Sequence, residues 1–206
     1  MTTLKPDTPH FPNYTAFVGL DLSLNGTGIA AVNRQGSLIL NQTLKPSKLT
    51  SKIKGPEFRV ARLIEIRNRL DAIILNIILK NSSNNLLFAV EGYTYATANS
   101  AHVMGELGGV VRTMLYEHRF DYIEVSPSHV KKYATGAGNA KKEQVIAHVL
   151  KRWGLLFSTS DEADAYVLAR MVRDWMSVKS DTAEQGALIQ CQFEVLDKLG
   201  EIIVKV

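Results

Sequence analysis

The sequence predicts an α/β fold, and three observations point to it. Five short apolar runs have strand character, at residues 16–22, 28–33, 37–43, 86–91 and 120–125. From residue 56 onward these runs alternate with longer segments whose apolar residues recur at three- and four-residue spacing, the helical period. Two of the runs close on a carboxylate, Asp21 in FVGLD and Glu91 in LLFAVE. An isolated carboxylate there is costly unless a partner or a metal ion compensates its charge.

Residues 1–14 hold three of the six prolines and little periodicity, so they read as a flexible leader with order beginning near Thr15. Asn25-Gly26 and Arg34-Gln35-Gly36 separate the first three runs, turn chemistry that makes them an antiparallel meander. A basic loop follows, with Lys45, Lys48, Lys52 and Lys54. Residues 56–79 carry Phe58, Leu63, Ile66, Leu70, Ile73, Ile74, Ile77 and Ile78 at the spacing of a long amphipathic helix.

The run 86–91 is apolar until its final Glu91, the pattern of a strand covered on both faces by helices. Residues 98–118 have helical spacing around MGELGG, where Gly105, Gly108 and Gly109 admit a close neighbour, either the sheet of the same chain or a second copy of the helix. After the run 120–125, Ser126-Pro127 starts a helix, GAGN at 136–139 breaks the chain, and a further helix covers 140–153. The helix over 158–174 opens on Ser-Thr-Ser-Asp-Glu, with Thr159 and Glu162 at capping-box spacing. Beyond Ser177, ALIQCQFEVL and EIIVKV flank Asp197-Lys198-Leu199-Gly200 and read as a C-terminal β-hairpin extension. The chain thus divides into the leader, a domain over 15–176 and an extension over 177–206.

Length and composition agree with one principal domain: 206 residues, 46% hydrophobic, without internal repeats or low-complexity tracts. Lysine and arginine exceed aspartate and glutamate by 24 to 20, a bias that mildly favours a polyanionic partner. The lone Cys191 excludes an intramolecular disulfide framework and a thiolate zinc site, and fits a reducing, intracellular setting. No run approaches the roughly 20 apolar residues of a membrane span.

Two further acids join Asp21 and Glu91. Asp161 and Asp164, in SDEADAYVLA, are spaced i,i+3, so both project from one face of the predicted helix. Hard divalent cations prefer such carboxylate oxygens. Phosphodiester cleavage needs an activated water, stabilisation of charge on phosphorus and help for the leaving oxygen, which two ions about 3.5–4 Å apart supply. Taken singly, each acid has a plainer role: Asp21 in a turn, Glu91 in a buried ion pair, Asp161 at its own helix dipole. In VKKYATGAGNAKK, Lys131, Lys132, Lys141 and Lys142 bracket a glycine loop, an arrangement suited to phosphate contact or to an ordinary solvated charge cluster. Tyr93 and Tyr95 could stack on unpaired bases or pack in the core.

GLDLSLNGTGIA, AVEGYTYATANSAHVMGELGGVVRTML, VKKYATGAGNAKKEQV and DEADAYVLA, in that order over about residues 16–176, resemble the RuvC family of Holliday-junction resolvases within the ribonuclease H-like superfamily. The resemblance implies a five-stranded mixed sheet flanked by helices, and a homodimer acting with magnesium or manganese, two ions per site, on four-way or other branched DNA. It also implies that Asp21 is the central metal ligand, Glu91 its partner across the site, and Asp161 and Asp164 the helical pair. Lys131 and Lys142 fall on the family's two basic active-site positions. The family's junction-wedging aromatic aligns nearer Thr94 than either tyrosine. Bacterial members usually follow the first aspartate with Pro-Gly, whereas Leu22-Ser23 stands here, closer to phage or organellar relatives.

Three functional readings follow: a structure-selective endonuclease making paired nicks at junctions, or at branched DNA more broadly; an actin-like sugar kinase or ATPase sharing the GLDLSLNGTG opening; and a junction-binding protein without catalysis. The second needs two lobes and a second phosphate motif, neither visible in this length. Against the third stands the full carboxylate set, negative charge placed where DNA phosphates must approach.

Overall fold

The computed structural model describes residues 13–92, 98–180 and 188–199. Strands β1 (Ala16–Asp21), β2 (Thr27–Asn33) and β3 (Leu38–Leu44) form the antiparallel meander, and β4 (Leu86–Glu91) and β5 (Asp121–Val125) extend it in parallel beside β1. The sheet order is β3-β2-β1-β4-β5. The described residues also form six α-helices: α1 (Pro56–Asn81), α2 (Ala98–Glu117), α3 (Pro127–Thr135), α4 (Lys142–Trp153), α5 (Ser160–Lys179) and α6 (Gln190–Leu196). This is the mixed five-stranded sheet flanked by helices that a ribonuclease H-like fold requires.

Because strand side chains alternate between faces, the sheet separates two cores. Ala16, Val18, Leu20, Ile29, Phe88 and Val90 pack beneath α1 and α2. Phe17, Ala30, Val32, Leu87, Ala89 and Ile123 pack beneath α5, with α3, α4 and α6 around it. Tyr14, assigned to the leader from sequence, belongs to this second core, and its hydroxyl donates to Asp121 Oδ2 at 2.5 Å.

Helix α5 lies on the sheet at the shortest distance chemistry permits. A Cβ on Gly19 of β1 would stand 2.0 Å from the Ala165 carbonyl oxygen, and one on Gly28 of β2 would stand 2.1 Å from that of Asp161. Helix backbone thus rests on bare strand backbone. From Ala165 to Met176 the helix is buried nearly all round except at Arg170, because α3, α4 and α6 cover what the sheet does not. Its far half is locked by Asp174, which accepts from the Tyr133 hydroxyl and from Arg173 Nη1.

The C-terminal hairpin is not what forms. Residues 190–196 of the expected first arm are α6, and Gln192, Val195, Leu196 and Leu199 are buried at helical spacing, with α3 its main neighbour. A short apolar run satisfies either period, and here tertiary contact with α3 decides. The other arm, EIIVKV, lies outside the described residues.

Replacing Gly19 with alanine should lower the unfolding free energy by about 3 kcal/mol, the upper range for overpacking. The readout is an earlier urea midpoint, with Leu20→Val, an ordinary core truncation, as the milder comparison.

Candidate active site at the end of the sheet

Strand register accounts for the first two carboxylates. Gly19 stands opposite Ala89 and Leu20 opposite Val90 in the parallel β1–β4 pair. The next residues, Asp21 and Glu91, therefore end adjacent strands at one level. Both follow the side-chain alternation of the α5 face, Asp21 after Phe17 and Gly19, and Glu91 after Leu87 and Ala89. The seating of α5 then brings its first turn over the same end, where a Cβ on Gly26 would lie 2.6 Å from Asp161 Oδ2.

The acids feel one another strongly. Burial raises Asp21 well above the ordinary carboxylate range, and Glu91 and Asp161 add to the rise while Lys142 opposes it. A side-chain hydrogen bond between Asp21 and Glu91 raises Asp21 further and lowers Glu91. Burial also raises Glu91, with a further push from Asp164 and relief from Lys142 and Lys131. Asp164 rises to about 7, through burial first and then the charge of Asp21. Four acids thus meet only two nearby lysines, Lys131 and Lys142.

Asp161 is not the cap of its helix. Thr159 Oγ1 accepts from the Glu162 amide at 3.2 Å, and Glu162 Oε2 accepts from the Ser158 amide at 3.0 Å. The Asp161 carboxylate instead accepts from Ser160 Oγ at 3.3 Å and faces Lys142 Nζ at 3.9 Å. Lys142 also donates to Ser160 Oγ at 3.3 Å, so serine links the lysine to the acid. Ser160 escaped the sequence reading, since nothing singles it out within the Ser-Thr-Ser-Asp-Glu opening of the helix.

The lysines part company. Lys131 on α3 and Lys142 on α4 act on the buried acids. Lys132 turns to α6 and pairs with Glu194 at 2.8 Å. Lys141 is exposed at the N-cap of α4, its amide donating to Gln144 Oε1 at 2.8 Å. Tyr93 and Tyr95 lie outside the described residues.

A residue missed from sequence supports the loop after Asp21. Arg62 on α1 is fully buried, and its Nε donates to the Leu24 carbonyl at 2.6 Å while Nη2 donates to the Leu44 carbonyl. Glu65 balances its charge at 3.1 Å. The signal was available: stepping back four residues along the stripe Leu70, Ile66 reaches Arg62, a cation at a core position. Leu22 packs in the α1 core, and Thr27 Oγ1 donates to the Ser23 carbonyl at 2.6 Å, which closes the loop where Leu22-Ser23 replaces Pro-Gly.

The donor set fits hard divalent cations: oxygen ligands only, excess negative charge, and a site edge open enough that Asp161 retains exposure. Among the described residues, no three Asp, Glu, His or Cys side chains are already converged on one point.

The sign of the pH effect follows. A carboxyl whose pKa is higher folded than unfolded stabilises fully below its unfolded value and loses that contribution as pH rises through its folded value. For Asp164 the window runs from 3.8 to about 7. Metal-free protein should therefore melt several degrees lower at about pH 8 than at about pH 5, and Asp164→Asn should flatten that fall. Calorimetry in chelator checks both.

The chain is similar to known proteins. The family model described as crossover junction endodeoxyribonuclease RuvC matches residues 17–171. The crossover junction endodeoxyribonuclease RuvC of Rickettsia typhi is 35% identical over 113 residues, covering 51% of this chain and 69% of its own length. That of Rickettsia akari is 28% identical over 157 residues, 74% and 92% of the two chains. Among solved structures, Thermus thermophilus RuvC in complex with Holliday junction substrate superposes with a TM-score of 0.59 at 22% identity, over 82% of this chain and 98% of that one. The yeast mitochondrial Holliday junction resolvase Ydc2 does so at 0.51 and 16% identity, over 84% and 82%; at such identities the likeness speaks for the fold. With the family model spanning both strand-end acids, the lysine pairs and the helical acids, the chain belongs to the RuvC family of crossover junction endodeoxyribonucleases.

Proposed function

We propose that the protein resolves four-way DNA junctions by paired symmetric nicks through metal-dependent phosphodiester hydrolysis. The observation that carries this reading is the meeting of Asp21, Glu91, Asp161 and Asp164 at one sheet end, flanked by Lys131 and Lys142. Nucleases of this family are metal-dependent. Asp21, Glu91, Asp161 and Asp164 are the residues that would hold two divalent ions, Mg2+ or Mn2+, which when bound supply an activated water and relieve charge on the phosphate.

The chain's own groups do the remaining work. Asp21, Glu91 and Asp164, all raised by burial, would have to be deprotonated to hold cations, so affinity rises with pH. Lys142, held by Ser160 against Asp161, offers its ammonium to the scissile phosphate or its leaving oxygen. Lys131 offers a second positive charge beside Glu91 and Asp164. Lys132 and Lys141 extend phosphate contact outward, and Tyr93 or Tyr95 would stack on bases unpaired at the junction centre.

A four-way junction has two-fold symmetry, so two matched nicks call for two copies of the site in a C2 dimer. Among the described residues, a Cβ on Gly105 or Gly109 of α2 would meet nothing within 4 Å, so these glycines are not packed against their own sheet. Their open face suits the partner's helix. No helix among the described residues is long and apolar enough to cross a membrane.

Magnesium should support cutting of a synthetic four-way junction over linear duplex of the same sequence. Asp21→Asn should still bind the junction while cleaving at least about a hundredfold more slowly. Undiminished cleavage by that variant, or equal cutting of duplex, contradicts the proposal. Sedimentation should find a dimer that Gly109→Trp converts to folded monomer.

A further inference from the structure

The loop 45–54 has no part in the chemistry described so far, yet it is built more firmly than a linker needs. Its sequence, KPSKLTSKIK, carries four lysines and no acid, as much positive charge as the formal net charge of the whole chain, +4. Lys45, Lys48, Lys52 and Lys54 are all exposed, and no carboxylate among the described residues pairs with any of them. The backbone between them is pinned from α1 and within the loop. Arg69 Nη1 donates to the Lys45 carbonyl at 2.7 Å, Glu65 Oε1 accepts from the Ser47 amide at 2.9 Å, and Ser47 Oγ accepts from the Thr50 amide at 3.1 Å. Buried Thr50 then anchors a single 3-10 turn, Thr50–Lys52.

Topology places this loop beside the carboxylates. Asp21 pairs with Gly28, and Gly28 with Thr43, in one row across the sheet. Lys45 comes two residues beyond that row on the edge strand. Two strand spacings and two residues of rise put it roughly 12 Å from Asp21 along the backbone frame. Thr43 Oγ1 lies 3.1 Å from Thr159 Oγ1, which ties the strand below the loop to the turn that carries Asp161. Lys131 and Lys142 approach from α3 and α4 on the α5 face, whereas the loop is pinned to α1 on the other face.

We infer that loop 45–54 is a preordered binding surface for DNA backbone phosphates outside the scissile step, holding the duplex arm that leaves the site over the β3 edge. This rests on the proposed action on branched DNA and adds the second flank of its footprint. Ammonium groups presented from a fixed backbone lose less entropy on contact than those of a free loop, and each neutralised phosphate steepens the salt dependence by about 0.9 per decade.

The test compares two charge-matched variants on the same magnesium-free four-way junction: Lys48→Gln/Lys52→Gln/Lys54→Gln in the loop, and Lys80→Gln/Lys151→Gln/Lys179→Gln at the opposite sheet end. Fluorescence anisotropy across a salt series reads Kd and slope, and single-turnover cleavage in magnesium at saturating protein reads chemistry. The expected result is a Kd about tenfold weaker and a slope smaller by about 2 for the loop variant, with the control variant near wild type and saturated cleavage preserved. Equal Kd and slope for the two variants, with wild type still cutting the junction, would overturn the loop's role while leaving the nuclease reading intact. Wild type that bound no junction would overturn both.

Discussion

The contact of α5 with naked strand backbone at Gly19 and Gly28 is the constraint on which the site depends. Those glycines let the helix approach until its carbonyl groups occupy the space a Cβ would need. The approach fixes the rotation of α5 as well as its height, because Asp161, Ala165, Leu168 and Ala169 are the helix residues that meet the strand glycines. Once Ala165 and Ala169 lie over Gly19, Asp161 lies over Gly26 and Gly28, and Asp164 turns toward Asp21. Larger strand residues would lift the helix and separate its acids from those of the sheet.

What this arrangement costs is electrostatic. Burial raises Asp21, Glu91 and Asp164 together, Glu91 and Asp161 raise Asp21 further and Asp164 raises Glu91, while among the acids only the hydrogen bond with Asp21 eases Glu91; the seating of α5 on the sheet holds the group in place. Lys141 and Lys142 add to the tension by standing at the start of α4, where the helix dipole disfavours cations by roughly 0.3–1 kcal/mol. Glu143 in the same turn offsets some of it. A site that is unfavourable alone and satisfied by cations and phosphate is a local conflict of the kind functional sites retain.

Most elements were legible because their signals are local. The apolar run ending at Glu91 defines β4 to the residue, and the stripe from Phe58 to Ile78 finds α1 with its end two residues early. The terminal segment failed for the opposite reason: residues 190–196 fit either period, and α3 settles them as helix. Asp161 could not be separated from a capping residue by spacing, since Asp161 and Glu162 both stand in the first turn; side-chain direction distinguishes them, and that belongs to the tertiary structure. Spacing alone left the lysines of each pair equivalent, and only the resemblance singled out Lys131 and Lys142; adjacent helical residues point about 100° apart, so Lys131 acts on the acids while Lys132 reaches Glu194. Tyr14 shows the same limit at the other end, recruited into order by Asp121 more than a hundred residues away.

Arg62 joins the two loops of this sheet end into one support. Its guanidinium holds the Leu24 carbonyl, in the turn that follows Asp21, and the Leu44 carbonyl, from which the lysine loop departs. Glu65 balances that charge and takes the Ser47 amide inside the lysine loop. Burying the pair in place of well-packed apolar residues brings little net stability, so its contribution is positional. An apolar residue at position 62 could fill the same volume but could not grip two carbonyls at once, and the turn after Asp21 would then move independently of the strand end at Leu44. Charge buried beneath the site thus sets the spacing between the turn after Asp21 and the start of the lysine loop.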